Sequence, residues 1–175
     1  MRTTRNIVTG LILSMAMSGL ALTASATAPR SIEERVRHEI LSVPYINVFD
    51  NVAYAINDGV VTLSGQVTRP IDKDYVEQAV RRAVGEARVE NRIEVLPLSP
   101  NDDRIRVATL FALERSSPLG RYFMGTNPSI RIIVKNGNVA LDGVVLNAGD
   151  RQVAFMAANR VPGVFSVTNN LRTEK

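Results

Sequence analysis

Gly59-Val60-Val61-Thr62-Leu63-Ser64-Gly65-Gln66-Val67 returns 78 positions later as Gly137-Asn138-Val139-Ala140-Leu141-Asp142-Gly143-Val144-Val145. In an extended chain successive side chains alternate between faces, so Val61, Leu63 and Val67 share one face, as do Val139, Leu141 and Val145. The same shift aligns 57–94 with 135–172 without a gap. It sets Asp72 on Asp150, Ala79 on Ala157, Arg82 on Arg160, Gly85 on Gly163, Val89 on Val167 and Asn91 on Asn169. Chance does not hold one spacing through three successive elements, so the chain reads as an internal duplication.

Working outward, Val52, Tyr54 and Ile56 alternate in the same way, as do Ile130, Ile132 and Val134. Asn57-Asp58-Gly59 and Asn136-Gly137 then supply residues that tolerate positive φ in a tight hairpin. Downstream, Val76, Ala79, Val80 and Ala83 are spaced i, i+3, i+4, i+7, the apolar stripe of a helix, and Ala154, Ala157, Ala158 and Val161 are its counterpart. Asp72 and Asp74 suit the positive end of that helix, while Gly85 and Gly163 stand where a left-handed cap ends it. A last strand follows through Val89, Asn91, Ile93 and Val95, or Val167, Asn169 and Leu171.

A helix also precedes each hairpin. In the first copy Ile32, Val36 and Ile40 form its stripe, with Ser31 and Glu34 as a capping box. In the second, Asp102 or Asp103 is expected to cap a run containing Ile105, Val107, Leu110, Phe111 and Leu113. Between the copies, Leu96-Pro97-Leu98-Ser99-Pro100 reads as a short, stiff, extended joint. The expected fold is α+β: two tandem α-β-β-α-β sandwich modules at 31–97 and 102–173, the helices of each covering one sheet face.

This unit resembles the BON domain, named for bacterial osmotically induced and nodulation proteins. The likeness rests on Gly-x-Val-x-Leu-x-Gly, from Gly59 to Gly65 and from Gly137 to Gly143, and on Gly-(x)3-Val-x-Asn, from Gly85 to Asn91 and from Gly163 to Asn169. It implies a periplasmic or envelope protein that attaches to phospholipid surfaces and supports envelope integrity under osmotic stress, with no catalytic residues. It also gives weight to Gly65 and Gly143, for which the sequence allows either a bulge or close helix approach, or a direct binding role. One departure stands out: the second copy carries about seven extra residues between its first helix and its hairpin, within 116–127.

The amino terminus bears on compartment. Arg2 and Arg5 precede an uncharged run from Ile7 to Leu22, and Ala24-Ser25-Ala26 offers a small-x-small cleavage site. That run is shorter than the roughly 20 residues that span a bilayer, so 1–26 is expected to be a signal peptide, cut after Ala26. Export is expected to place the mature chain in the periplasm, either free or peripheral to a membrane. With no cysteine in the sequence it forms no disulfide and offers no site for a cysteine-linked lipid.

Composition is that of an ordinary globular protein, 45% hydrophobic and 22% charged, with a formal net charge of +4. Charge is unevenly shared: residues 31–98 hold eight Lys and Arg against eleven Asp and Glu, and residues 101–175 hold ten against six. Nucleic-acid binding usually demands far denser positive charge and is not expected.

No constellation for catalysis emerges. His38 is the sole histidine and reads as a solvated or capping residue of a surface helix, which with the lack of Cys excludes the usual zinc and thiol sites. Asp72 and Asp74 read as helix-start residues rather than an acid/base pair. No enzyme activity, metal, cofactor or small-molecule substrate is expected. Divergence between the copies is more telling: Glu77 and Gln78 become Phe155 and Met156, and Glu86 and Ala87 become Val164 and Phe165. Either the first copy or the extra loop covers these side chains, or they form a functional apolar patch. An apolar cluster of Leu110, Phe111, Leu119, Tyr122, Phe123 and Met124, ringed by Arg104, Arg106, Arg115 and Arg121, suits an anionic phospholipid surface. The alternative is an adaptor docking a periplasmic protein through the same patch or an open sheet edge.

Overall fold

A computed structural model describes residues 31–174; the expected leader, 1–26, lies outside them. The first half forms α1 (Ile32–Ser42), β1 (Asn51–Asn57), β2 (Val60–Val67), α2 (Pro70–Val84), β3 (Arg88–Asn91) and β4 (Glu94–Val95). The second forms α3 (Pro100–Arg115), a 3-10 turn (Leu119–Phe123), β5 (Ile130–Lys135), β6 (Asn138–Val145), α4 (Ala148–Asn159) and β7 (Ser166–Thr173). Both halves are α+β modules of the expected order.

A tight turn can only reverse the chain, so β1 and β2 pair antiparallel, as do β5 and β6. An intervening helix carries the chain back to the start of the sheet, so β3 and β4 lie parallel to β2, and β7 parallel to β6. The duplication extends to register: Val52 faces Gly65 as Ile130 faces Gly143, and Val60 faces Arg88 as Asn138 faces Ser166. In each module the helices bury one stripe on the central strand. Val36, Ile40, Val76 and Val80 share a core with Val61, Leu63 and Val67. Ile105, Leu113, Ala154 and Ala158 share one with Val139, Leu141 and Val145.

Gly65 and Gly143 are explained by that register. Their φ values are +107° and +129°, and a Cβ would lie 2.0 Å from the Asn51 carbonyl oxygen or 1.9 Å from that of Ser129. The close approach is therefore to the neighbouring strand's backbone, not to a helix. Asn91 and Asn169 act as matched staples. Their Nδ2 groups donate to the Lys73 and Arg151 carbonyls at 3.2 and 2.8 Å, and their Oδ1 atoms accept from Ile93 and Leu171 N–H at 3.0 and 3.2 Å. Each ties its helix to the returning strand.

Three expectations need correction. The cap of α3 is Ser99, whose Oγ accepts from Asp102 N–H at 3.2 Å, not Asp102 or Asp103. Asp102 is buried instead and accepts from Asn136 and Gly137 N–H at 2.9 and 2.8 Å, fastening the helix to the β5–β6 turn. The proline joint also shrinks: Leu96 is buried and bonds to the Val67 carbonyl at 2.8 Å, while Pro100 is already helical, where its missing N–H costs nothing. Finally, Val36 and Ile40 match the buried Thr109 and Leu113, both pairs 73 apart. Against the offset of 78 farther on, the second copy gains five residues rather than about seven.

The modules meet through the segment before β1. Ile132 N–H donates to the Val48 carbonyl at 2.8 Å, and Arg131 Nη1 donates to the Asn47 carbonyl at 2.9 Å. Val48 and Phe49 pack on the second module's core, covering the β5 edge.

Candidate functional site

Helix α3 has two dissimilar faces. Ile105, Thr109 and Leu113 turn inward and are buried. On the other side, Arg104, Val107, Ala108 and Phe111 recur at helical spacing and, with Asp103, which pairs with Arg106, line a shallow, almost wholly apolar depression. Val107 and Phe111 remain 46% and 50% exposed. Phe111 also borders a second groove, about 360 Å³, where α3 meets the end of α4, completed by Ala112, Arg115, Ala157, Arg160 and Pro162.

Cations rim this surface. The Arg115 guanidinium lies 5.7 Å from the Phe111 ring centroid, close enough for a cation–π contact that steadies both. Arg104 hydrogen-bonds the Asn101 amide oxygen at 3.0 Å. Among the described residues none of Arg104, Arg115 and Arg160 is ion-paired with a carboxylate. The result is exposed apolar area beside three arginines without acidic partners.

Of the residues expected to form a binding patch, Arg104, Phe111 and Arg115 therefore come together. Leu110 and Phe123 are half-buried against the core. Leu119, Tyr122 and Arg106 are buried, and the expectation that they meet an external surface is corrected. Residues 119–123 do not form an open loop: the 3-10 turn places Leu119 and Tyr122 in the core. The Tyr122 hydroxyl donates to Asp150 and accepts from Leu146 N–H at 2.9 Å. Burial, helped by the Asp150 carboxylate, raises its pKa and keeps the phenol neutral. Arg106, 4% exposed, donates to Asp103 and, at 2.8 Å, to the Val134 carbonyl. Arg121 and Met124 are exposed, Arg121 bonding the Pro118 carbonyl at 2.9 Å, but neither lines the α3 grooves.

Nor does the first module cover the divergent apolar side chains. Met156 is exposed and Phe165 is 80% exposed, its ring lying over Gly137, while Phe155 and Val164 are half-buried. Sequence reasoning did not single out Val107, Ala108, Arg160 or Pro162. The signal for Val107 was present: it falls out of phase with Ile105, Thr109 and Leu113. Among the described residues no cluster of three or more His, Asp or Glu could hold a metal ion. No helix among them is long and apolar enough to cross a membrane.

The family model described as "BON domain" matches residues 30–97 and again 101–175. No curated protein matches the chain. Two solved structures of CdsD, a structural protein of the type III secretion system of Chlamydia trachomatis, are similar to it at 13% identity. One, of the C-terminal domain, covers 85% of this chain and 100% of its own, with a TM-score of 0.34. The other covers 82% and 93%, with a TM-score of 0.32.

Proposed function

The chain belongs to the BON domain family, with two copies in tandem, and from that premise we propose that it is a non-enzymatic envelope protein that holds to anionic phospholipid through helix α3. The observation that carries this reading is the exposed Val107 and Phe111, with the half-buried Ala108, flanked by Arg104, Arg115 and Arg160, which have no carboxylate partner among the described residues. Seating Phe111 among acyl chains removes apolar area from water, while each cation near an anionic surface adds about 1 kcal/mol. Export by the 1–26 leader would bring this face to the envelope, and support of envelope integrity under osmotic stress is the role that fits.

Vesicle flotation tests it. The mature chain is expected to float with vesicles of phosphatidylglycerol and phosphatidylcholine, to float poorly with phosphatidylcholine alone, and to be released by salt. A Phe111→Glu, Arg115→Glu double variant is expected to stay at the bottom of the gradient. Equal flotation of the variant and the parent chain would remove the assignment.

A second reading, an adaptor for a periplasmic protein, is favoured by the eight-residue β7, which pairs with β6 on one side only. A partner strand added there would bind through backbone hydrogen bonds and respond little to salt.

A further inference from the structure

The first module carries the counterpart of the α3–α4 groove, and its lining has diverged in the opposite sense. On the offsets fixed by core positions, Glu39 and Ser42 of α1 replace Ala112 and Arg115. Gln78 stands at the position of Met156, which does not line the α3–α4 groove, and Arg82 is retained at the position of Arg160. The space enclosed, about 340 Å³, is walled by these four polar side chains together with Tyr45 and Tyr75.

The aromatic wall is held in place before any ligand arrives. The Tyr45 and Tyr75 rings stack with centroids 5.7 Å apart and planes 28° from parallel. The Arg69 guanidinium lies 5.3 Å from the Tyr45 centroid, itself fixed by two bonds to the buried Asp72 at 2.8 and 2.6 Å. Even so, Tyr45 and Tyr75 remain 52% and 40% exposed. Opposite them, Glu39, Ser42, Gln78 and Arg82 make no side-chain hydrogen bond or ion pair among the described residues.

A flat aromatic face beside unpaired donors and acceptors of both signs selects a particular chemistry. An anionic headgroup would set its charge against Glu39, and a peptide that binds by adding a strand would find helices rather than a strand edge. A neutral ligand with one C–H face and many hydroxyls satisfies all of it, the face stacking on Tyr75, which Tyr45 backs, and the hydroxyls pairing with carboxylate, amide and guanidinium. We propose that the groove between α1 and α2 binds a neutral saccharide, as ligand and not as substrate.

The test is an amide NMR titration of the mature chain with cellotetraose and with tri-N-acetylchitotriose. Saturable shifts with at least one are expected, confined to residues 39–45 and 75–82. Tyr75→Phe should retain them, and Tyr75→Ala should weaken binding about tenfold, the loss of one aromatic contact. Arg82→Ala, at an exposed and unpaired side chain, should also weaken binding and stands in should Tyr75→Ala fail to fold. Absence of saturable shifts with both sugars on the order of 10 mM, or binding unaffected by Tyr75→Ala and Arg82→Ala, would overturn the proposal. So would displacement of the sugar by phosphatidylglycerol vesicles. The Phe111→Glu, Arg115→Glu variant should bind sugar normally, so the two modules' ligands fail or succeed separately.

Discussion

At the scale of single residues, glycines that look alike in sequence carry different burdens. Gly65 and Gly143 lie against a carbonyl oxygen that an added Cβ would strike, whereas Gly59 has open space around it. Gly65→Ala is therefore expected to cost about 3 kcal/mol or more, since the strand pair must separate, and Gly59→Ala only about 1 kcal/mol for its positive φ. Urea midpoints of the two variants check this. Glu77 supplies a pH-dependent counterpart. The Asn91 amide, and then Arg81, hold its carboxyl below the ordinary value of 4.5. A depressed folded-state pKa means the stabilisation is complete above 4.5 and drains as pH falls through the lowered value. Glu77→Gln should thus flatten the acid limb of the stability curve below 4.5 and leave its slope near neutrality unchanged, as acid titration of unfolding would show. The repeating glycines were legible because spacing alone reveals them. The reason for them was not, because a carbonyl contact exists only once strand register is set. Arg106 misled for a related reason: an arginine on a helix reads as solvated until the Val134 carbonyl is found beside it.

Elements were read well wherever one signal stood alone. Ser31 and Glu34 announce α1 without competition, and both bonds of the capping box are present at 3.2 and 3.1 Å. At α3 the sequence reading took Asp102 or Asp103 as the cap and left Ser99 and Pro100 in the linker, whereas Ser99 is the cap and Pro100 the first helical residue. Local pattern could not rank these candidates, because Asp102 is claimed by a hairpin turn some 35 residues away. Ser99→Ala is expected to cost about 1 kcal/mol as a lost cap. Asp102→Ala should cost roughly 2–3 kcal/mol, leaving the Asn136 and Gly137 N–H groups without their acceptor, and hydrogen exchange at those two amides should accelerate. A Ser99 variant less stable than the Asp102 variant would reverse the assignment.

For the whole molecule, duplication explains the modules but not their junction. Val48 and Phe49 belong to the first half in sequence and to the second core in space. Their positions 78 residues on are Thr126 and Asn127, a break in the likeness that marks a specialised segment. No periodicity betrays such a contact, so the sequence reading left the modules' relation open. Phe49→Ala is expected to destabilise the second module by about 2 kcal/mol, seen as faster exchange in β5 and β6 with β2 little changed. Exchange quickening only in the first module would show that the junction does not couple the two.

Division of labour between the copies is the central claim, with an apolar, arginine-rimmed face on the second module for anionic lipid and a polar, aromatic groove on the first for another ligand. Amide line broadening of the mature chain with phosphatidylglycerol-containing nanodiscs probes it most directly. The account predicts broadening concentrated at 104–115 and 157–162, with 39–45 and 75–82 of the first module spared. Equal broadening of both helix pairs, or broadening centred on α1 and α2, would contradict it.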